Sequence, residues 1–426
     1  MTGEFALGSF LSRWGTRARH DLSASKSATF TLAELIAMAE PEARRRWRAL
    51  SLGYADPRGA GWLRAAIAAR HDGAAADDVL CCAGAQEALA CVVRALLAPG
   101  DHAIVVVPIY QPTEHAVTSI CAATGVPLEE GHGAWHLDID RVAAAIRPAT
   151  RLLLMNFPNS PTGATLEPGV LAALVALCRR HGIWLVNDEV YRVMASDRTP
   201  PPVADVYERG ISVDAVSKGF GLPGLRAGWA VCRDRVVLAR MLHAKSGLSS
   251  CLGAANEVLA HIALRAEASI IARNRAIARA NLGLLREVLT RHSALFDGDT
   301  GQSLAFAAPR YRAAGDAGAF AIDLVRAAGV LLLPSGLWRS HLAPVPVNRL
   351  RIGLGVPGFG PALQALDAHL VGRRRQVLHA GVRKIALHKL LRPRSSGGDG
   401  RCIAANGHEA GDPDARVRLP LHGLSS

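Results

Sequence analysis

ISVDAVSKGFGLPGLRAGW, residues 211–229, opens as a short buried strand and closes as a glycine-rich loop. Ile211, Val213, Ala215 and Val216 make an apolar run of strand length that stops at Ser217-Lys218. Glycines at 219, 221, 224 and 228 follow, with Arg226 eight residues after the lysine. The lysine is out of character for the chain: Lys occurs only at 26, 218, 245, 384 and 389, so 5 of the 49 basic residues are Lys and 44 are Arg. A composition so biased supplies Arg wherever any positive charge suffices, so Lys218 points to work that only an amine does. Arg stays protonated, whereas a desolvated Lys loses its proton and forms a Schiff base with an aldehyde. The bland alternative is a strand-end lysine with its head in solvent, since charged side chains are rarely buried unless paired.

The 426 residues are 50% hydrophobic, ample for a core in one large or two medium domains. Apolar runs alternating with Ala/Leu-rich stretches argue for α/β architecture. The net charge of +13 is unevenly placed: from Val371 onward there are 11 Lys and Arg against 4 Asp and Glu. More than half of the excess therefore sits in the tail, which has no core-forming period and reads as disordered and solvated, not as a nucleic-acid reader. The eight cysteines form no CxxC pair and no Cys/His spacing suited to zinc, so no metal is expected and a reducing compartment is. MTGEFALGSF lacks a basic region followed by an apolar one, and no run of about twenty apolar residues is present to span a bilayer. A cytoplasmic protein without a membrane partner is the expectation.

Along the chain, residues 5–50 carry an amphipathic start, a polar break around Leu22–Ser27, and a helix opened by Thr31 with Glu34 at capping-box spacing. The turn-rich SLGYADPRG places Tyr54 in a glycine-flanked loop, as a turn aromatic or a contact. The strand candidate Val79–Ala83 runs into Gly84-Ala85-Gln86-Glu87 at the head of a helix. This is either an ordinary strand–helix turn or an anion site made of free N–H groups. Ala103–Val107 ends at Pro108-Ile109-Tyr110, and Arg151–Met155 at Asn156-Phe157-Pro158-Asn159-Ser160-Pro161-Thr162-Gly163, a rigid irregular loop. A helix follows from Pro168 to His181, then the strand Ile183–Val186 running into Asp188-Glu189-Val190-Tyr191. Asp188 closes an apolar run, where a carboxylate needs backbone donors or a cation. Residues 252–292 read as one or two helices, and strand candidates at Ser303–Ala308, Val330–Leu333 and Arg349–Ile352 suggest a smaller α+β unit closed by a helix from Pro361 to Leu370.

The order and spacing of these pieces resemble the class I/II aminotransferases, pyridoxal 5′-phosphate (PLP) enzymes of fold type I, over roughly Leu52 to Leu370. The resemblance implies a large domain with a mostly parallel seven-stranded sheet between helices, plus a smaller α+β domain. In that plan residues 1–50 are an N-terminal arm with part of the small domain, 51–290 the PLP-binding domain, 291–371 the C-terminal small domain and 372–426 the basic tail. It implies that Lys218 forms the internal aldimine and shuttles protons, that Asp188 pairs with the pyridine nitrogen, and that Tyr191 bonds the phenolic oxygen while Tyr110 stacks on the ring. The phosphate would be held by the N–H groups of Ala85 and Gln86, by Ser217 and Arg226, and by Tyr54 donated across a homodimer interface. Arg351 would bind the substrate α-carboxylate. Two positions depart from the family pattern. Ser160 stands where Asn usually precedes the proline, with Asn159 one place earlier, so either is a candidate for the phenolic oxygen. Ala215 stands where Ser or Thr often lies three residues before the lysine.

The function implied is amino transfer from an L-amino acid to a 2-oxo acid. A second reading comes from SLGYADPRG and SKGFGLPGLRAGW, which are most similar to capreomycidine-synthase-type enzymes that cyclise a hydroxylated arginine by elimination and ring closure. A third, a non-catalytic PLP-binding regulator, would need a DNA-reading domain, and none is legible before residue 50.

Overall fold

The computed structural model describes residues 5–373 apart from 132–133, 196–198, 298–300 and 314–315; the basic segment from 374 onward lies outside them. Seven strands make the central sheet, in the spatial order Val79–Cys82, Gly228–Cys232, Gly210–Ala215, Trp184–Asp188, Thr150–Asn156, His102–Val107 and Ala122–Pro127. Gly228–Cys232 is antiparallel to both neighbours, and the remaining pairs are parallel. VLCC, HAIVVV, GISVDA and GWAVC are buried at every position. Such runs are stable only with helices on both faces, and this is how they are covered. On one face Ala103 and Val105 pack with Leu89, Val93 and Met241 of the helices Ala85–Leu96 and Arg235–Ser246. On the other, Ile104 and Leu153 meet Leu174 of Pro168–His181, while Trp229 and Val231 meet Ile67 and Leu259 of Gly61–Ala68 and Ala254–Arg265.

The expected α/β plan with seven mostly parallel strands is present, and several boundaries differ from the sequence reading. Ala122–Pro127 was not legible as a strand because it is a half-exposed edge with little β-branched character. The Ser303–Ala308 candidate pairs only at Phe306–Ala307. The run from Val330 splits in two: Val330–Leu331 pairs in parallel with His20–Asp21, and Leu333–Pro334 joins Leu350–Gly353. Residues 252–292 form two helices, Ala254–Arg265 and Glu267–Arg291. The Thr31 capping box forms in full, with the Thr31 and Glu34 side chains each accepting the other's backbone N–H.

One close approach sets the geometry of the sheet edge. Gly228 pairs with Cys82 and Ala215, and a Cβ there would lie 2.5 Å from the carbonyl carbon of Gly84 and 2.6 Å from the Ala85 nitrogen, both backbone atoms. Gly84 itself has φ 93°, a conformation costly for any side chain. Two glycines therefore let the strand Gly228–Cys232 and the start of the helix Ala85–Leu96 touch. Gly228→Ala is expected to destabilise the fold by about 2 kcal/mol through overpacking. A lower urea midpoint at unchanged m-value would show this, and an unchanged midpoint would contradict it.

Candidate active site

Parallel strands deliver their carboxyl ends to one edge of the sheet, where ligands of such folds bind. The register sets Asn156 beside Asp188 and Asp188 beside Val213, so the loops at Pro158–Gly163, Asp188–Tyr191 and Ser217–Arg226 follow adjacent strands. The helix Ala85–Leu96 begins at the same edge, because Gly228 pairs with Cys82 just before it.

The helix start has the character of an anion cradle. Ala85 and Gln86 occupy the first turn, whose N–H groups have no partner within the helix. Arg226, in the left-handed region with φ 45°, brings its guanidinium over Gly84 and donates to the Ala83 carbonyl at 3.2 Å; any Cβ on Gly84 would run into it. Ser217 lies in the same loop as Arg226, and its hydroxyl is buried without a hydrogen-bond partner among the described residues. An unpartnered buried hydroxyl costs about 1–3 kcal/mol. Helix N–H groups, a guanidinium and a free hydroxyl are the donor set that a phosphate takes.

Asp188 ends its strand with a carboxyl whose one hydrogen bond among the described residues is from the Val190 N–H, at 3.2 Å. Burial pushes it up to about 7, with that single N–H opposing. Of the two ways to satisfy this acid, backbone donors supply little, and a cationic partner fits. Lys218 donates from Nζ to the Ser25 hydroxyl at 2.7 Å and stands 5.9 Å from the centre of the Tyr191 ring. Tyr191 is buried edge-on against Phe306 at 4.8 Å. Tyr110 heads the helix Gln111–Thr118, its ring edge-on to Phe5 at 5.6 Å, and burial raises its hydroxyl.

Two arginines, Arg349 just before the strand Leu350–Gly353 and Arg351 within it, show what is distinctive here. Arg349 is buried and forks onto Glu130, Nε to Oε1 at 2.8 Å and the second amine to Oε2 at 2.9 Å. Arg351 is equally buried, yet no described carboxylate lies within ion-pair distance, and its Nε has no partner among the described residues. Among the described residues it donates to the Ser160 hydroxyl at 3.1 Å and the Ser23 carbonyl at 2.8 Å, with Phe306 and Trp338 against its faces at 5.1 and 4.7 Å. Burial brings it down to about 10, so the site itself disfavours the charge until an anion arrives.

Asn159 and Ser160 differ in how far their side chains are already engaged. The Asn159 amide donates to the Asn156 carbonyl of its own loop and to the Pro108 carbonyl of a neighbouring one, and accepts from the Thr162 N–H and hydroxyl. Both its donors and its acceptor are thus engaged by described residues. The Ser160 hydroxyl accepts from Arg351 and donates to no described residue.

Tyr54 is not brought to the site of its own chain: it is 97% exposed. Its loop is nevertheless anchored. Lys245, fully buried, donates to the Pro57 carbonyl at 2.7 Å and to the Ser250 carbonyl at 2.8 Å, tying the loop to the segment that follows the helix Arg235–Ser246. The sequence reading missed this lysine and also Ser23 and Ser25. The latter two lie in what reads as a mere polar break, and their only signal is serines at 23, 25 and 27, the alternation of an extended chain.

A lysine amine, a half-buried acid and a helix start with the character of an anion cradle thus meet at one edge of the central sheet, and Arg351 reaches from the small sheet to Ser160 in a loop at that edge. The family Aminotransferase class I and II matches residues 22–356. Arginine–pyruvate transaminase of Pseudomonas aeruginosa is 38% identical over 187 residues, 42% of this chain and 47% of that protein, so the match spans about half of that relative. Capreomycidine synthase of Streptomyces vinaceus is 28% identical over 375 residues, 84% of this chain and 92% of that protein. The crystal structure of a PLP-dependent aminotransferase from Streptococcus suis superposes with a TM-score of 0.80 at 25% identity, covering 88% of this chain and 99% of that one.

The raised acid has a sign that can be measured. Between about pH 4 and 7 the folded, cofactor-free chain holds a proton on Asp188 that the unfolded chain has released. The stability this contributes is full below the unfolded value and is lost as pH rises through about 7. Asp214 and Glu257, raised by burial, act in the same direction. The urea midpoint of the stripped protein is therefore expected to fall across this window, and to fall less in Asp188→Asn. Parallel curves for the two proteins would contradict the assignment.

Proposed function

The chain belongs to the class I and II aminotransferases, which are PLP-dependent enzymes, and on that premise we propose that it transfers the amino group of an L-amino acid to a 2-oxo acid with Lys218 as the cofactor-bearing amine. The observation that carries this reading is Arg351, a buried guanidinium with no described carboxylate at ion-pair distance, which reaches from the small sheet to Ser160 in the loop after Asn156 and to Ser23, two residues from the Ser25 that holds Lys218. When bound, PLP supplies the aldehyde that joins the substrate nitrogen and the ring that accepts the electron pair left at Cα.

The residues divide the remaining work. Asp188 holds the ring nitrogen protonated, and that pairing relieves its own burial. Ala85 and Gln86 N–H groups, Ser217 and Arg226 hold the phosphate, with Tyr54 reaching it across a homodimer interface. Tyr110 covers the ring, while Tyr191 and Ser160 donate to the phenolic oxygen, Ser160 taking the place that Asn159 cannot fill. The Arg351 fork orients the substrate α-carboxylate, which aims the Cα–H bond at Lys218. Nζ of Lys218 then takes that proton, as a neutral amine within reach must. A second reading, elimination and ring closure on a hydroxyarginine-type substrate, draws support from the match to capreomycidine synthase along most of both chains.

Visible absorption of the PLP-loaded protein, recorded with each member of an amino-acid panel including arginine and 3-hydroxyarginine, tests the choice. Conversion of the bound cofactor to its amine form, reversed by a 2-oxo acid, is the expected result. A spectral change confined to an arginine-type substrate, with no amine form and no need of a 2-oxo acid, favours ring closure. Lys218→Ala should abolish turnover, and an active variant would overturn both readings. Arg351→Lys should lower kcat/KM about 100-fold, from the ~3 kcal/mol that a hydrogen bond between charged groups reaches. A Tyr54→Phe variant should lose PLP faster on dialysis, and a fully active monomer in sedimentation would contradict the shared site.

A further inference from the structure

The segment Leu22–Ser27 is gripped by the site itself. Arg351 donates to the Ser23 carbonyl at 2.8 Å, Lys218 donates to the Ser25 hydroxyl at 2.7 Å, and the Ser27 N–H donates back to the Lys218 carbonyl at 3.0 Å. Its course is fixed from both sides. The Gly353 N–H donates to the Leu22 carbonyl at 2.8 Å, and a Cβ on Gly353 would run into the Ala24 carbonyl oxygen. A Cβ on Gly355 would lie 2.7 Å from the Ser27 Cα. At its start, Asp21 accepts from the Ser23 N–H at 2.7 Å and from the Ser23 hydroxyl. Residue 25 is therefore held in place by the small sheet on one side and by the lysine loop on the other, and its side chain stands at Lys218 by construction.

What stands there is chemically specific. A lysine that must exchange a proton needs an anchor for its amine that does not choose its charge. A carboxylate would hold it as the ammonium, and an apolar neighbour would leave its four-carbon stem unplaced. A hydroxyl accepts from an ammonium and donates to a neutral amine, so it serves both states. No described carboxylate lies within ion-pair distance of Lys218 Nζ, and Asp188 acts on it only through its field.

We propose that Ser25 is a positioning residue that holds the Lys218 amine for proton transfer at the substrate Cα. This rests on the reading of Lys218 as the cofactor-bearing amine. With its amine free, Lys218 would dock on the Ser25 hydroxyl, as it does in this structure, and would accept the Cα proton on Nζ, the electron pair of that C–H bond staying on the substrate side, where bound PLP would draw it off. The resulting ammonium donates to Ser25 until it returns the proton. Substrate binding at Arg351 and amine docking at Ser25 are then set by one short piece of backbone, since Ser23 and Ser25 are two residues apart in it.

Two measurements test this whichever amino acid is the donor. In cofactor-free protein labelled with [6-13C]lysine, five lysines give five signals, and the one missing from Lys218→Ala is assigned to Lys218. Ser25→Ala should shift that signal and leave Lys245 unmoved; an unmoved Lys218 signal overturns the contact. In the second, PLP-loaded enzyme in 2H2O is mixed with the twenty protein amino acids, and Cα–H exchange of the donor is followed by NMR. Ser25→Ala should slow exchange about tenfold, part of the roughly 10²–10⁴-fold that a well-placed acid–base group supplies. The half-saturating donor concentration should stay within about twofold, and Ser25→Thr should restore the rate. Unchanged exchange overturns the proposal, as does slowing that comes wholly from weaker donor or PLP binding, the mark of a merely structural arm. If Lys218→Ala also exchanges normally, the reading of the lysine fails. If Lys218→Ala is inert and Ser25→Ala is normal, only the role of Ser25 fails.

Discussion

A half-buried carboxyl at the edge of the central sheet and a buried guanidinium on the small sheet, neither with a described counter-charge at ion-pair distance, are the constraint on which the rest of this structure turns. Each such group costs several kcal/mol unless a partner of opposite charge arrives. The chain elsewhere avoids the cost: Arg349 has Glu130, and Arg70 has Asp214 and Glu267. Asp188, pushed up to about 7, and Arg351, brought down to about 10, stand apart from these pairs, as groups at ligand sites often do. When bound, PLP would supply a ring nitrogen for Asp188 to pair with, and the substrate an α-carboxylate for Arg351. The fold pays for the site by closing a well-packed sheet everywhere else.

Glycines make the edge approachable, and lysines tie it together. Gly84 and Gly228 bring a helix start and a strand into backbone contact, so that N–H groups and Arg226 face one small volume. Lys218 and Lys245 each use the amine as a compact donor, to the Ser25 hydroxyl in one case and to two backbone carbonyls in the other. The guanidinium fork suits neither position, which explains why a chain so rich in Arg retains Lys there.

Much of this is legible in the sequence because its signals are local. The strand ending at Lys218, the acid closing an apolar run at Asp188 and the glycine at the head of the Ala85–Leu96 helix each announce themselves within a few residues. What is not legible depends on pairing across the chain. Ser25 meets Lys218 over 193 positions and Ser23 meets Arg351 over 328, and no periodicity records such contacts. The Asn159 and Ser160 choice is undecidable in sequence because it rests on which side chain the loop consumes. The edge strand Ala122–Pro127 escapes because half-exposed strands carry a weak apolar pattern.

The most direct test of the central claim is to reduce the PLP-loaded protein with borohydride and map the modified peptide by mass spectrometry. With so few lysines the result is unambiguous. The account predicts a pyridoxyl group on Lys218 alone. Stable modification at Lys26 or Lys245 with Lys218 untouched would contradict it.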